Sequence, residues 1–137
     1  VSQNTLRSWF GGSVAKNFAT PYGEYNPTVV NEIKKYYRSH RSTDVGYNSK
    51  DNFDIYNIKV QNITNTTTPA QVQAWVNQAM AEKTWLVIVY HEVTATAADP
   101  TYSVTPANLD AELGGIKQSG ISVQTVDSAL DEVLAQL

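Results

Sequence analysis

The stretch WLVIVYHEV, Trp85 to Val93, decides how the fold is read. Six apolar or aromatic residues run without a break into His91 and Glu92. An uninterrupted run of β-branched and aromatic side chains predicts a strand covered on both faces, as in a parallel sheet packed between helices. The stretch then ends on an imidazole, which titrates near neutral pH. Only one other histidine, His40, occurs in the chain.

The segments around this strand alternate with it. Asn26-Pro27, Thr68-Pro69 and Thr105-Pro106 each set a capping side chain before a proline, whose fixed φ suits the first helical position. After Thr68, apolar Val72, Trp75, Val76, Ala79 and Met80 fall on one helical face, and Gln71 completes a capping-box pattern. After Thr105 the stripe is Leu109, Leu113 and Ile116, with Gly120 as the stop. The Asn26 helix carries Val29 or Val30, Ile33 and Tyr37, and a fourth helix runs from Thr125 through Leu130 and Leu134. Further strands are expected near residues 16–18, 39–43, 53–60 and 121–123. Leu6, Trp9 and Phe10 before Gly11-Gly12 read as the last turns of a helix whose start is missing. Strands alternating with helices predict an α/β architecture with parallel strands, an open sheet or a barrel, in a single domain over residues 1–137.

Composition narrows the function. Hydrophobic residues make up 42% and charged residues 17%, the balance of a globular chain. A net charge of -3, with no basic run longer than Lys34-Lys35, argues against a nucleic-acid surface. No apolar run approaches the roughly 20 residues of a membrane-spanning helix. With no cysteine there is no disulfide, thiolate nucleophile or thiolate metal site. The opening VSQNTLRSW lacks the layout of a signal peptide.

Parallel α/β folds place their sites at the carboxyl ends of strands, where His91 falls. It is read either as a functional group or as a histidine capping a core strand. Pro21-Tyr22-Gly23 lies between an expected strand and a helix cap. It is either an ordinary turn or one that presents backbone N–H groups to an oxyanion. His40, between Arg38 and Arg41, reads as a structural or surface residue rather than a ligand, and Asp44, Asp51 and Asp54 as a solvated acidic loop.

FATPYGEYNPTVVNEIKKYYRSHRST, VGYN, PAQVQAWVNQAMAEKTWLVIVYHEV and YSVTPANLDAELGGIKQSGISVQTVDSALDEV, in that order, resemble the C-terminal half of the polysaccharide deacetylase family. These metal-dependent carbohydrate esterases remove N- or O-acetyl groups from polysaccharides. The resemblance implies part of a distorted (β/α) barrel, its C-terminal half, with parallel strands. It implies the backbone N–H of Tyr22 in the oxyanion hole, with Pro21 and Gly23 in the same substrate-binding turn, and His91 as general acid. It also implies a polysaccharide substrate and an extracellular or cell-surface setting.

The chain departs from the family pattern in three places. Ala19 stands where many members have an arginine that orients the catalytic base, and Arg41 is a candidate substitute. An acid that tunes the histidine corresponds to Asp51 or Asp54. The Asp-Asp pair and the H-x-x-x-H motif, which supply the base and the ligands of a divalent metal, usually zinc, do not occur. No metal ligand is therefore assigned here. The expectation is a fragment, inactive alone, that needs the missing N-terminal half or self-association to close the barrel. The alternative is a non-catalytic relative that binds glycan or protein.

Overall fold

The computed structural model describes residues 2–12, 14–95 and 101–137. Its elements are α1 (Ser2–Phe10), β1 (Asn17–Ala19), a short turn of 3-10 helix (Pro21–Gly23), α2 (Pro27–Ile33), β2 (Ser39–Val45) and β3 (Ile58–Asn62). There follow α3 (Pro69–Glu82), β4 (Ile88–Val89), β5 (Glu92–Val93), β6 (Ser103–Val104), α4 (Pro106–Ser119) and α5 (Val126–Leu134).

Strands β1 to β4 lie in sequence order in one parallel, curled half-barrel sheet. β5 and β6 form a second parallel pair. The α/β reading with parallel strands therefore holds. Helix starts follow the capping chemistry: the side chains of Asn26, Thr68, Thr105 and Thr125 accept from the N–H groups of Val29, Gln71, Asn108 and Ser128. Each satisfies a donor that the first helical turn leaves orphaned. α4 stops at Gly120, which adopts the left-handed φ of 71°.

A hydrophobic core joins the helices to the sheet. Ile63, Val72 and Val104 are buried, with Trp75, Ile88, Tyr90, Leu109 and Ile116 packed around them. Leu130 of α5 is also fully buried, a burial that contributes about 1.5–3 kcal/mol. Ile88 and Tyr90 pack into this core, and Val89 between them turns to the opposite face.

That opposite face corrects the reading of the central run. Trp85 to Tyr90 are all half-buried, and the strand is not covered on both faces within the described residues. Nor is it continuous. Trp85 bridges antiparallel to Asn48, only Ile88–Val89 pairs with β3, and the chain leaves the ladder at Tyr90-His91 before β5.

Three other expectations shift. Residues 121–123 form no strand: Ile121 is half-buried and Val123 is 76% exposed. Residues 53–57 are a turn rather than strand, because the Asp54 carboxylate accepts from Tyr56 N–H at 2.8 Å and the Asp54 carbonyl from Asn57 N–H at 2.9 Å. In α4, Leu109 and Ile116 of the expected stripe pack against the core, but Glu112 is buried with them and Leu113 is 50% exposed. The described first helix spans Ser2–Phe10 and ends at Gly11, whose φ is 95°. Val1, next to the expected missing start, lies outside the described residues.

Candidate functional site

The carboxyl edge of the sheet carries the candidate residues. β1 ends at Ala19, and Thr20 leads into the Pro21–Gly23 turn. Pro21 supplies its fixed φ at the first turn position, and the Gly23 N–H closes the turn on the Thr20 carbonyl at 3.2 Å. Tyr22 takes a left-handed φ of 57° and its side chain is fully exposed. A non-glycine residue in that region is strained, and such residues concentrate at functional turns. Tyr22 N–H has no acceptor among the described residues. Gly23 is also left-handed, at φ 75°, and a Cβ there would stand 2.7 Å from the Thr43 side chain. This position therefore requires glycine on two grounds.

Beside the turn lies an open groove of about 510 Å³, lined by Gly23, Glu24, Tyr25, Asn26, Val29, Thr43 and Asp44. Asp44 accepts from the Tyr25 hydroxyl at 2.8 Å and from Asn57 Nδ2 at 3.0 Å. Burial, and then the hydrogen bond and charge of Asp44, raise the Tyr25 phenol above its ordinary pKa. Of the three acids once grouped as a loop, Asp44 is the one at the turn, at the carboxyl end of β2. Asp51 is exposed in the turn at residues 50–52, and Asp54 is committed to the Tyr56 N–H.

His40 is structural. It is fully buried in β2, with Nε2 on the Thr20 hydroxyl and Nδ1 at 2.8 Å from the Tyr56 carbonyl. Its neighbour Arg41, aligned with Ala19, is half-buried. Burial lowers the Arg41 pKa, and no carboxylate pairs with the guanidinium among the described residues. Its Nη1 donates to the Ser42 carbonyl at 3.3 Å.

His91 follows β4 at the same edge, exposed, with its ring 4.9 Å from that of Tyr102. Directly before it, Tyr90 donates its hydroxyl to Glu112 Oε2 at 3.0 Å. Glu112 is 2% exposed and its Oε1 has no partner among the described residues. Burial raises the Glu112 pKa; burial and then the hydrogen bond to Glu112 raise that of Tyr90. Tyr22 and His91 thus share an edge but not a contact. β2 and β3 stand between their strands, a separation of roughly 14 Å measured along the sheet.

Among the described residues no group of three His, Cys, Asp or Glu side chains could hold a metal ion. The metal implied by the resemblance has no donor set among them. No helix among the described residues is long and apolar enough to cross a membrane. Chemically, the edge offers a strained turn with a free N–H, an acid–phenol–amide cluster beside it, and an exposed imidazole two strands further on. No protein-family model, no curated protein and no solved structure matches this chain.

Proposed function

We propose that this chain is the C-terminal half of a distorted (β/α) barrel that hydrolyses acetyl groups on an extracellular polysaccharide once the barrel is completed. The observation that carries the reading is the shared edge. The two groups that the resemblance assigns to chemistry, Tyr22 N–H and His91, both follow the carboxyl ends of strands in one parallel sheet. Half-exposed Val87 and Val89, at the last strand of the order β1-β2-β3-β4, support completion by further chain.

In the completed site Tyr22 N–H donates to the oxyanion of the tetrahedral intermediate. His91 gives its proton to the departing amine or alcohol as the general acid. A divalent metal, zinc by resemblance, would polarise the acetyl carbonyl and activate water, held by ligands that come from outside the described residues. Alone, the chain is inactive.

The test is complementation. Mixing the 137-residue chain with a polypeptide carrying the family's Asp-Asp and H-x-x-x-H segments should release acetate from acetylated chito-oligosaccharides. Acetate release by the pure chain, or none from the mixture, overturns the reading. The exposed face also predicts self-association of the unmixed chain, and a clean monomer in sedimentation counts against that.

A second reading, glycan binding without catalysis, is favoured by the open grooves on either side of Tyr25. Tyr56 and Asn57 line the second of these together with Lys34. An aromatic face among amides and carboxylates suits a sugar ring. Oligosaccharide binding by the chain alone, with no acetate released by the mixture, would select it.

A further inference from the structure

We propose that His40 is a positioning residue for this site: through Thr20 it clamps the Pro21–Gly23 turn in the conformation that presents Tyr22 N–H. The functional meaning of the clamp rests on the deacetylase reading; the clamp itself does not.

The donor and acceptor roles follow from chemistry. His40 Nδ1 faces the Tyr56 carbonyl, which can only accept, so Nδ1 carries the hydrogen. In the neutral ring Nε2 is then the lone pair, and it accepts from the Thr20 hydroxyl. His40 is fully buried and Thr20 is 8% exposed, so water does not compete for either bond. The Tyr25 ring packs edge-on against the imidazole, with centroids 5.1 Å apart.

Thr20 is the joint between this buried pair and the turn. Its side chain is fixed to β2 through His40, and its carbonyl accepts the Gly23 N–H that closes the turn. Tyr22, between them, holds a left-handed conformation that its own ring does nothing to secure, because that ring projects fully into solvent. Strained residues persist only where their surroundings over-determine them. Here the surroundings are the Thr20–His40–Tyr56 relay on one side and the Thr43 side chain against Gly23 on the other.

The experiment uses Thr20→Val, which keeps the shape of the buried side chain and removes its hydroxyl, and Thr20→Ser, which keeps the hydroxyl and removes only a methyl; both leave His40 in place. Nitrogen NMR of the unmodified chain should show His40 as the neutral Nδ1–H tautomer; the Nε2–H tautomer overturns the proposal. Removing one hydrogen bond should raise amide exchange at Gly23 roughly tenfold in Thr20→Val, with Val60 in β3 unchanged. Thr20→Ser should restore the original rate. No change at Gly23, or an equal rise at Val60, overturns the clamp. In the complemented protein Thr20→Val should lower kcat with KM held, again rescued by Thr20→Ser. A lowered KM-dependent rate with kcat intact overturns the positioning role. If no version releases acetate, the deacetylase reading falls, while the exchange data still decide the clamp.

Discussion

Arg38 donates to Asp127 at 2.8 Å across 89 residues of chain, and this pair fastens α5 to the amino end of the sheet. Lys16 and Asn17, where β1 begins, donate to the same carboxylate, and Arg38 also reaches Asp131 one turn further along α5. One side chain therefore ties the last helix to the start of two strands.

Asp127→Asn should weaken the docking of α5. The Lys16 hydrogen bond, with further help from Asn17 and the charges of Lys16 and Arg38, holds the Asp127 pKa below the ordinary carboxylate value. A depressed carboxylate pKa contributes stability above the unfolded value, lost as pH falls through the folded one. Denaturant midpoints of wild type and variant should therefore differ modestly at neutral pH and converge in acid. The pair is only half-buried, so added salt should shrink the gap. A gap that persists in acid contradicts this.

Glu112→Gln should change the slope of stability against pH in the opposite sense. Burial raises the Glu112 pKa, so the folded state holds its proton more tightly than the unfolded chain does. Stability is then greatest below the unfolded value and declines as pH rises through the folded one. The amide variant lacks that decline and still offers an oxygen to the Tyr90 hydroxyl. The stability of wild type relative to the variant should therefore decline as pH rises from acid to neutral; parallel pH profiles for the two proteins would disprove it.

Gly23→Ala should cost about 1–2 kcal/mol, the ordinary penalty for a side chain in the left-handed region, before any displacement of Thr43. Chemical denaturation measures it. Gly120→Ala is the comparison, because Gly120 is equally left-handed but has nothing within 4 Å of the added carbon. A larger loss at Gly23 than at Gly120 identifies the Thr43 contact. Equal losses leave backbone strain as the whole effect.

The helix starts were legible because their chemistry is local. A capping side chain and a proline at Asn26, Thr68 and Thr105 need no knowledge of the rest of the molecule, and all three caps form. Strands depend on neighbours, and there the reading thinned. Ile121 to Val123 has the composition of a strand but lies outside both sheets, whereas Ser103–Val104 is a strand only because Glu92–Val93 lies beside it. Glu112 escaped an apolar stripe because its inward position depends on a hydroxyl from another element. The roles of Asp44 and His40 were hidden for the same reason. Each is defined by partners 13 to 20 residues away: Asn57 and Tyr25 for Asp44, Tyr56 and Thr20 for His40. The turn at Pro21–Gly23 and the position of His91 at the end of the best apolar run were visible from residue types alone.

The most direct measurement is acetate release from acetylated chito-oligosaccharide by the complemented protein, wild type against His91→Ala. Loss of a positioned general acid should slow turnover by roughly 10²–10⁴-fold, with oligosaccharide binding retained. Equal rates for the two proteins would contradict the account.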